Sequence, residues 1–364
     1  MQVLHGIRVL DLTRLLPGPY CTMMMADYGA EVTKIEAPTT GDYGRETEPI
    51  INGQSTRFLT LNRNKNSIQL NLKTIEGRNT LLDMCKQADV IMESFRPGVM
   101  KRLGLDYETV KEINPQIIYC SLTGYGQTGP YQNMAGHDLN YIATSGLVDI
   151  TGNTDAPPAV PGVQIADIAG GALMALSGIL MALVSRSQDG TGRYVDVSMM
   201  DGVMSLLGSV THGYLAGGAE PERGNTRLTG QKACYGIYQT KDERYIAVAA
   251  LEPKFWKNFC SRIGKEDWID QLNGNADVQQ SMKQELAHLF KTKTRDEWIE
   301  QLTIEETCVS PVLSVAESIN NPQVQARQMI IETEHPALGK LLQTGFPIKF
   351  SGDAGQFRHH ASDL

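Results

Sequence analysis

Three residues of this chain have the types and settings for proton-transfer chemistry: His137, Asp167 and Glu252. His137 lies in Gly136-His-Asp-Leu-Asn-Tyr141, and an imidazole can act as a general base near neutral pH. The flanking Asp138, Asn140 and Tyr141 supply polar groups that can fix its tautomer. Asp167 lies in Gln164-Ile-Ala-Asp-Ile-Ala-Gly-Gly171, at the mouth of an apolar helix. Its apolar neighbours would desolvate the carboxyl and raise its pKa, whereas helix N–H dipoles would favour the ionised form and could hold an enolate oxygen. The plainer role for such an aspartate is an N-cap. Gly170 and Gly171 would let a substrate approach the backbone. Glu252 follows a strand-like run, in Leu251-Glu-Pro-Lys-Phe-Trp256, where it could orient an imidazole or bond a carbonyl oxygen.

The elements that must position these groups alternate along the first 125 residues. Strand signals cover 7–12, 31–35, 67–72, 89–95 and 116–122, and helix signals 21–28, 75–87 and 107–113. Short apolar strands separated by helices argue for an α/β fold with a parallel, Rossmann-like sheet. The middle is helical and Gly-rich, with a helix over 168–186, a strand over 193–197 and a second helix from Met199. From Thr229 the texture changes to antiparallel strands (233–239, 244–250) and charged amphipathic helices. We expect a large domain over 1–200, a smaller α+β domain over 201–320, and a tail, 321–364, that returns to the first.

Bulk properties narrow the function classes. The 364 residues are 41% hydrophobic and 20% charged, with net charge −8. This composition fits a folded globular protein and disfavours a nucleic-acid binder. Six cysteines lie too far apart for a Cys-x-x-Cys pair, so no metal site is expected. Free thiols and the lack of a signal-like N-terminus suggest a cytoplasmic protein. The uncharged run 168–185 approaches membrane-spanning length, but a core helix of a large α/β domain has the same character, and no membrane span is expected. Gly124-Tyr-Gly-Gln-Thr-Gly129 matches a dinucleotide fingerprint, yet it follows a late strand and runs into Pro130; a glycine turn is the better reading. The methionines at 23–25, 199, 200 and 204 could make a plastic acyl site, but more often such residues pack a core. Lys73, Arg96, Lys101 and Arg102 cluster near strand ends, where phosphates could bind.

At this point the chain resembles the class III CoA-transferase (CaiB/BaiF) family, which also contains α-methylacyl-CoA racemases. The resemblance runs through the opening Leu4-His-Gly-Ile-Arg-Val-Leu-Asp-Leu-Thr13, Pro17-Gly-Pro19, Asp27-Tyr-Gly-Ala-Glu-Val-Thr-Lys-Ile-Glu36, Ser67-Ile-Gln-Leu-Asn-Leu-Lys73, Glu93-Ser-Phe-Arg-Pro-Gly98, Gly124 to Pro130, Gly190-Thr-Gly-Arg193 and Val309-Ser-Pro-Val312. It implies an acyl-CoA substrate, no cofactor beyond CoA itself, and an interlocked homodimer. CoA contacts would fall on Leu70, Asn71, Leu72 and Lys73, on Ser94, Phe95 and Arg96, on Arg102, and on Gly136, His137, Asp138, Leu139, Asn140 and Tyr141. Many relatives carry arginine where this chain has Ala37, so that phosphate contact is either lost or supplied by another residue such as Lys34 or Arg45. Asp167 matches the catalytic aspartate, a nucleophile in the transferases and an acid/base in the racemases. Gly-His-Asp-x-Asn-Tyr and the Glu-Pro at 252 resemble the racemases, whereas formyl- and carnitine-CoA transferases tend to have tyrosine in place of His137. Leu16 stands where formyl-CoA transferases use glutamine. The expected reaction is therefore 1,1-proton transfer on a 2-methylacyl-CoA, with CoA transfer through an Asp167 anhydride as the alternative and silent acyl-CoA binding as a third.

Overall fold

The computed structural model describes residues 2–362. The chain divides into two compact units. The first takes the residues up to Leu147, Pro161–Gly208 and those from Pro322 onward; the second takes Val148–Val160 and Ser209–Asn321. The expected boundary at residue 200 therefore moves to 208, and 148–160 joins the second unit. The helix Met199–Leu215 runs unbroken through the boundary, so composition changes nowhere near it.

Among the described residues of the first unit, six strands form one parallel sheet: β1 (Arg8–Leu12), β2 (Glu31–Glu36), β3 (Lys65–Gln69), β4 (Val90–Glu93), β5 (Ile118–Thr123) and β6 (Arg193–Ser198). Their order is β3-β2-β1-β4-β5-β6. Val9 stands level with Val32 on one side and Val90 on the other. The chain builds outward from β1 to β3, then returns beside β1 and builds the other way. The loops after β1 and β4 consequently part in opposite directions and open a crevice at the carboxyl ends of the strands. β4 and β5 are buried along their whole length, as parallel strands covered on both faces require.

Helix α1 (Pro17–Asp27) starts with proline in its first turn, where no intrahelical partner is lost, and buries Met23, Met24 and Met25. Those methionines are core. Helix α2 (Ile75–Cys85) is capped by Thr74, whose Oγ1 accepts the Gly77 N–H at 3.1 Å. Its Leu81 and Cys85 pack with Leu10, Leu12, Ile91 and Tyr119.

β3 starts at Lys65 rather than at the expected 67. Lys65 is buried, and its ammonium reaches the Asp11 carboxylate (3.1 Å), the Pro19 carbonyl (2.9 Å) and Asn62 Oδ1 (2.9 Å). A lysine normally marks the end of a core strand; here a buried counter-ion keeps it inside. The single tail strand expected over 341–350 is instead a hairpin, Ile330–His335 against Gly339–Thr344, followed by the short strand Lys349–Phe350. Buried Arg63 ties this tail down, pairing with Asp27 (2.7 Å) and donating to the Thr344 carbonyl (2.6 Å).

In the second unit, β7 (Tyr235–Gln239), β8 (Tyr245–Ala249) and β9 (Val309–Pro311) form an antiparallel sheet in the order β9-β8-β7. Its core is aromatic. Trp256, Phe259, Phe290 and Trp298 pack together, and both indole N–H groups are satisfied, by the Trp268 and Phe290 carbonyls at 2.8 and 2.9 Å.

Candidate active site

A cleft of about 500 Å³ opens in the first unit at the carboxyl ends of the strands. Its wall comes from Arg14 and Leu15 after β1 and Pro17 at the start of α1, the loop after β4 (Ser94–Pro97), the end of β5 with its following turn (Leu122–Tyr125), Gln132, Met134–His137, Asn140 and Tyr141, and Asp167 and Met199. This is the crevice that the strand order predicts.

Helix α3 (Asp138–Thr144) holds His137 at its N-terminal edge. The His137 N–H donates to Asn140 Oδ1 at 3.0 Å, which fixes the backbone from which the imidazole projects. The side chain itself is exposed on the cleft. Tyr141 stands behind it. Its hydroxyl donates to the Gly136 carbonyl, and its ring meets Tyr125 edge-on at 5.1 Å. A Cβ on Gly124 or Gly136 would lie 2.3 or 2.7 Å from that ring, so both glycines are required by its position. Gly126 and Gly129 have φ of +83° and +89°, so the Gly-x-Gly-x-x-Gly run is a turn folded around Tyr141.

Asp167 lies in the first turn of a π-helical segment, Ala166–Ala172, that continues as α4 (Leu173–Asp189). Wide turns of this kind are frequent at functional sites. The aspartate is not the N-cap; Ile165 is. The Asp167 N–H instead donates to Asp138 Oδ1 at 2.9 Å, a direct tie to the residue after His137. Burial and then the Asp138 charge push the Asp167 carboxyl up to about 6, against the opposing pull of His137 and Arg57. At that value the group can give or take a proton near neutrality.

Gly170 and Gly171 do not face substrate. A Cβ on either would strike Met199, at 2.6 Å from its carbonyl and 2.8 Å from its side chain, and one on Gly202 would lie 2.0 Å from the Gly170 carbonyl. These glycines let α5 (Met199–Leu215) pack tightly against the segment that carries Asp167.

Of the positions expected to hold CoA, Ser94, Phe95, Arg96, Gly136, His137, Asn140 and Tyr141 line the cleft, whereas Leu70–Lys73, Arg102, Asp138 and Leu139 are not part of its lining. Leu70 and Leu72 pack against the core beneath β3. Neither residue expected to replace a cation at Ala37 is free. Lys34 is buried against Asp42 at 2.8 Å, and Arg45 holds Glu36 with two nitrogens, at 2.9 and 2.7 Å. Glu252 lies in the second unit, exposed, ahead of the helix Pro253–Arg262, and makes no capping bond. Among the described residues no group of His, Cys, Asp and Glu has the makings of a metal site.

The structure adds two residues to the site. Arg14 stacks between the rings of Tyr43 and Phe95, 5.3 Å from each centroid, and lines the cleft. Its signal in the sequence was its place directly after the first strand. Glu93 ends β4, where its Oε2 accepts the Phe95 N–H at 2.7 Å and so shapes the Ser94–Arg96 loop. Burial pushes this carboxyl up to about 7. It heads the Glu93–Gly98 motif, but its effect comes from the sheet around it, which the motif does not reveal.

Comparison with known proteins places this architecture. The family model for CoA-transferase family III matches residues 4–363. An acyl-CoA transferase of Fusarium pseudograminearum is 38% identical over 96% of this chain and 80% of its own length. The human α-methylacyl-CoA racemase is 34% identical over 92% of this chain and 84% of its own. The crystal structure of a CaiB/BaiF family protein from Brucella suis superposes with a TM-score of 0.86 at 30% identity, covering all of this chain and 96% of the other.

Proposed function

This chain belongs to CoA-transferase family III, and we propose that within it the protein interconverts the two configurations of 2-methylacyl-CoA thioesters by 1,1-proton transfer. The observation that carries this reading is the pairing of His137 and Asp167 on one cleft, with the Asp167 carboxyl raised to about 6. A thioester acidifies its α-proton. His137 takes that proton from one face, leaving a planar enolate, and protonated Asp167 delivers a proton to the other; the roles reverse for the opposite enantiomer. The N–H groups of Asp167 and Ile168 are engaged by Asp138 and by the Gln164 carbonyl (3.1 Å), so the enolate oxygen needs a different donor. Glu252 enters the reading by resemblance only. The reaction draws on no group beyond CoA, which is part of the substrate.

The accompanying picture is a cytoplasmic homodimer. The helix Ala166–Asp189 is long and apolar enough to cross a membrane by length and composition. Its Ala175, Ile179 and Ala182 face the core, while Met181 and Val184 are 67% and 61% exposed. A second copy covering these side chains accounts for them better than a bilayer, since a third of the helix's apolar window is already buried against protein.

Transfer of CoA is the second reading, favoured by the fungal acyl-CoA transferase among the relatives. Asp167 would then attack the thioester carbonyl, expel the CoA thiolate and form an acyl anhydride. Incubating one enantiomer of a 2-methylacyl-CoA in deuterated water separates the two. Racemisation with α-deuterium uptake and no acceptor acid is the expected result. CoA moved onto an added carboxylate, with an aspartyl-CoA adduct trapped at Asp167 and no exchange, would replace proton transfer by CoA transfer.

A further inference from the structure

Beside the cleft lies an open surface recess of about 300 Å³, lined by Leu16, Thr56, Arg57, Thr60, Leu61 and Gln164. It adjoins the chemistry on two sides. Leu16 is flanked by Leu15 and Pro17, which line the main cleft, and Gln164 stands three residues before Asp167. The helix Thr56–Asn62 packs on α1, and α1 packs on the segment Ala166–Ala172, so Arg57 and Asp167 are carried by one stack of helices. The Arg57 charge is among those felt at the Asp167 carboxyl.

Arg57 differs from the buried and half-buried cations around it. Lys34, Arg45, Arg63 and Lys65 are each held by a carboxylate. The exposed Arg57 guanidinium has no hydrogen bond or ion pair among the described residues. The Thr56 and Thr60 hydroxyls donate to the Pro49 and Thr56 carbonyls, at 3.2 and 2.9 Å. The donors left to a ligand in this recess are therefore the Arg57 fork and the Gln164 amide. A planar guanidinium with a neighbouring amide matches a carboxylate, which it can hold through two parallel bonds. The recess has room for about ten waters, enough for a carboxylate and a few methylenes.

We propose that Arg57 and Gln164 form a carboxylate-recognition pocket beside Asp167, so that the acyl group this site takes carries a second, anionic carboxylate. The proposal deepens the acyl-CoA reading and rests on it. Leu16 and Leu61 contact the methylenes, and Arg57 offsets the repulsion between the substrate carboxylate and Asp167.

Calorimetric titration of the full chain with succinyl-CoA and butyryl-CoA, which have equal carbon counts, tests it. Wild type should bind succinyl-CoA at least tenfold more tightly. Arg57→Met should remove that preference while leaving butyryl-CoA affinity within about twofold, which also shows the variant to be folded, and Arg57→Lys should keep part of it. Equal affinities in wild type, or a preference that survives in Arg57→Met, would overturn the pocket. Running α-deuterium exchange on the same samples keeps the two claims apart. Selective binding without exchange removes proton transfer and leaves the pocket standing; absence of binding by either thioester removes both.

Discussion

Replacing Asp167 with asparagine should abolish exchange and at the same time make the protein more stable at neutral pH. The carboxyl is raised from its ordinary 3.8 to about 6. A group whose folded pKa exceeds its unfolded value stabilises the fold relatively at low pH, and that advantage is lost as pH rises through the folded pKa. Above pH 7 the ionised Asp167 costs about 3 kcal/mol, from about two pKa units at about 1.4 kcal/mol each. Because part of the side chain meets water, about half of that is the safer expectation. By pH 4.5 the cost falls to about 1 kcal/mol or less, since most of the carboxyl is then protonated in the folded state. Asparagine keeps the shape and the backbone bond to Asp138 but carries no charge. At about 2–4 °C per kcal/mol, the variant should melt roughly 5 °C above wild type at pH 8, and the two should converge toward pH 4.5. Differential scanning calorimetry at the two pH values reads this directly. A variant that melts below wild type at pH 8, or by the same offset at both pH values, would refute the claim that burial and Asp138 strain this carboxyl. Confirmation would mean that the site holds its working group at the expense of stability.

Two further outcomes follow from the same geometry. Asp138→Asn retains an oxygen to accept the Asp167 N–H but removes the second cause of the raised pKa, so the limb of the exchange–pH profile set by Asp167 should move about 0.5–1 unit toward acid. Gly202→Ala places a methyl 2.0 Å from the Gly170 carbonyl, so urea denaturation should show a loss of about 1–3 kcal/mol, and exchange should fall at least tenfold as the Asp167 segment is displaced.

Much of this was legible in the chain, for identifiable reasons. The apolar runs placed all six sheet strands, β3 two residues late, because strands covered by helices carry a strong apolar signal. His137 and Asp167 could be singled out, since each sits in an unusual local setting. What sequence could not see was long-range pairing. Lys65 misplaced the start of β3 because its counter-ion, Asp11, is 54 residues away. The role of Gly170 and Gly171 was misassigned because the element they accommodate begins at Met199. Asp167 looked like an N-cap because the bond that anchors it comes from Asp138, 29 residues earlier. Arg57 was passed over because nothing in its neighbouring residues distinguishes it from an ordinary charge, and Glu93 was given no role because its burial comes from strands distant in sequence.

The route of the chain through the first unit also sets the order in which it can be made. Arg63 is buried and donates to the Thr344 carbonyl, 281 residues further on, and Asn64 donates to the Gln356 carbonyl at 2.8 Å. Synthesis proceeds from the N-terminus, at roughly 5–20 residues per second. Arg63 therefore waits for the 281 residues that separate it from Thr344 before it acquires its last partner. The second unit, most of it drawn from the contiguous stretch Ser209–Asn321, has all of its strands in hand earlier. The inserted unit is thus complete while the first is still open, and Arg63 and Asn64 stay without these partners until the stretch holding Thr344 and Gln356 has left the ribosome.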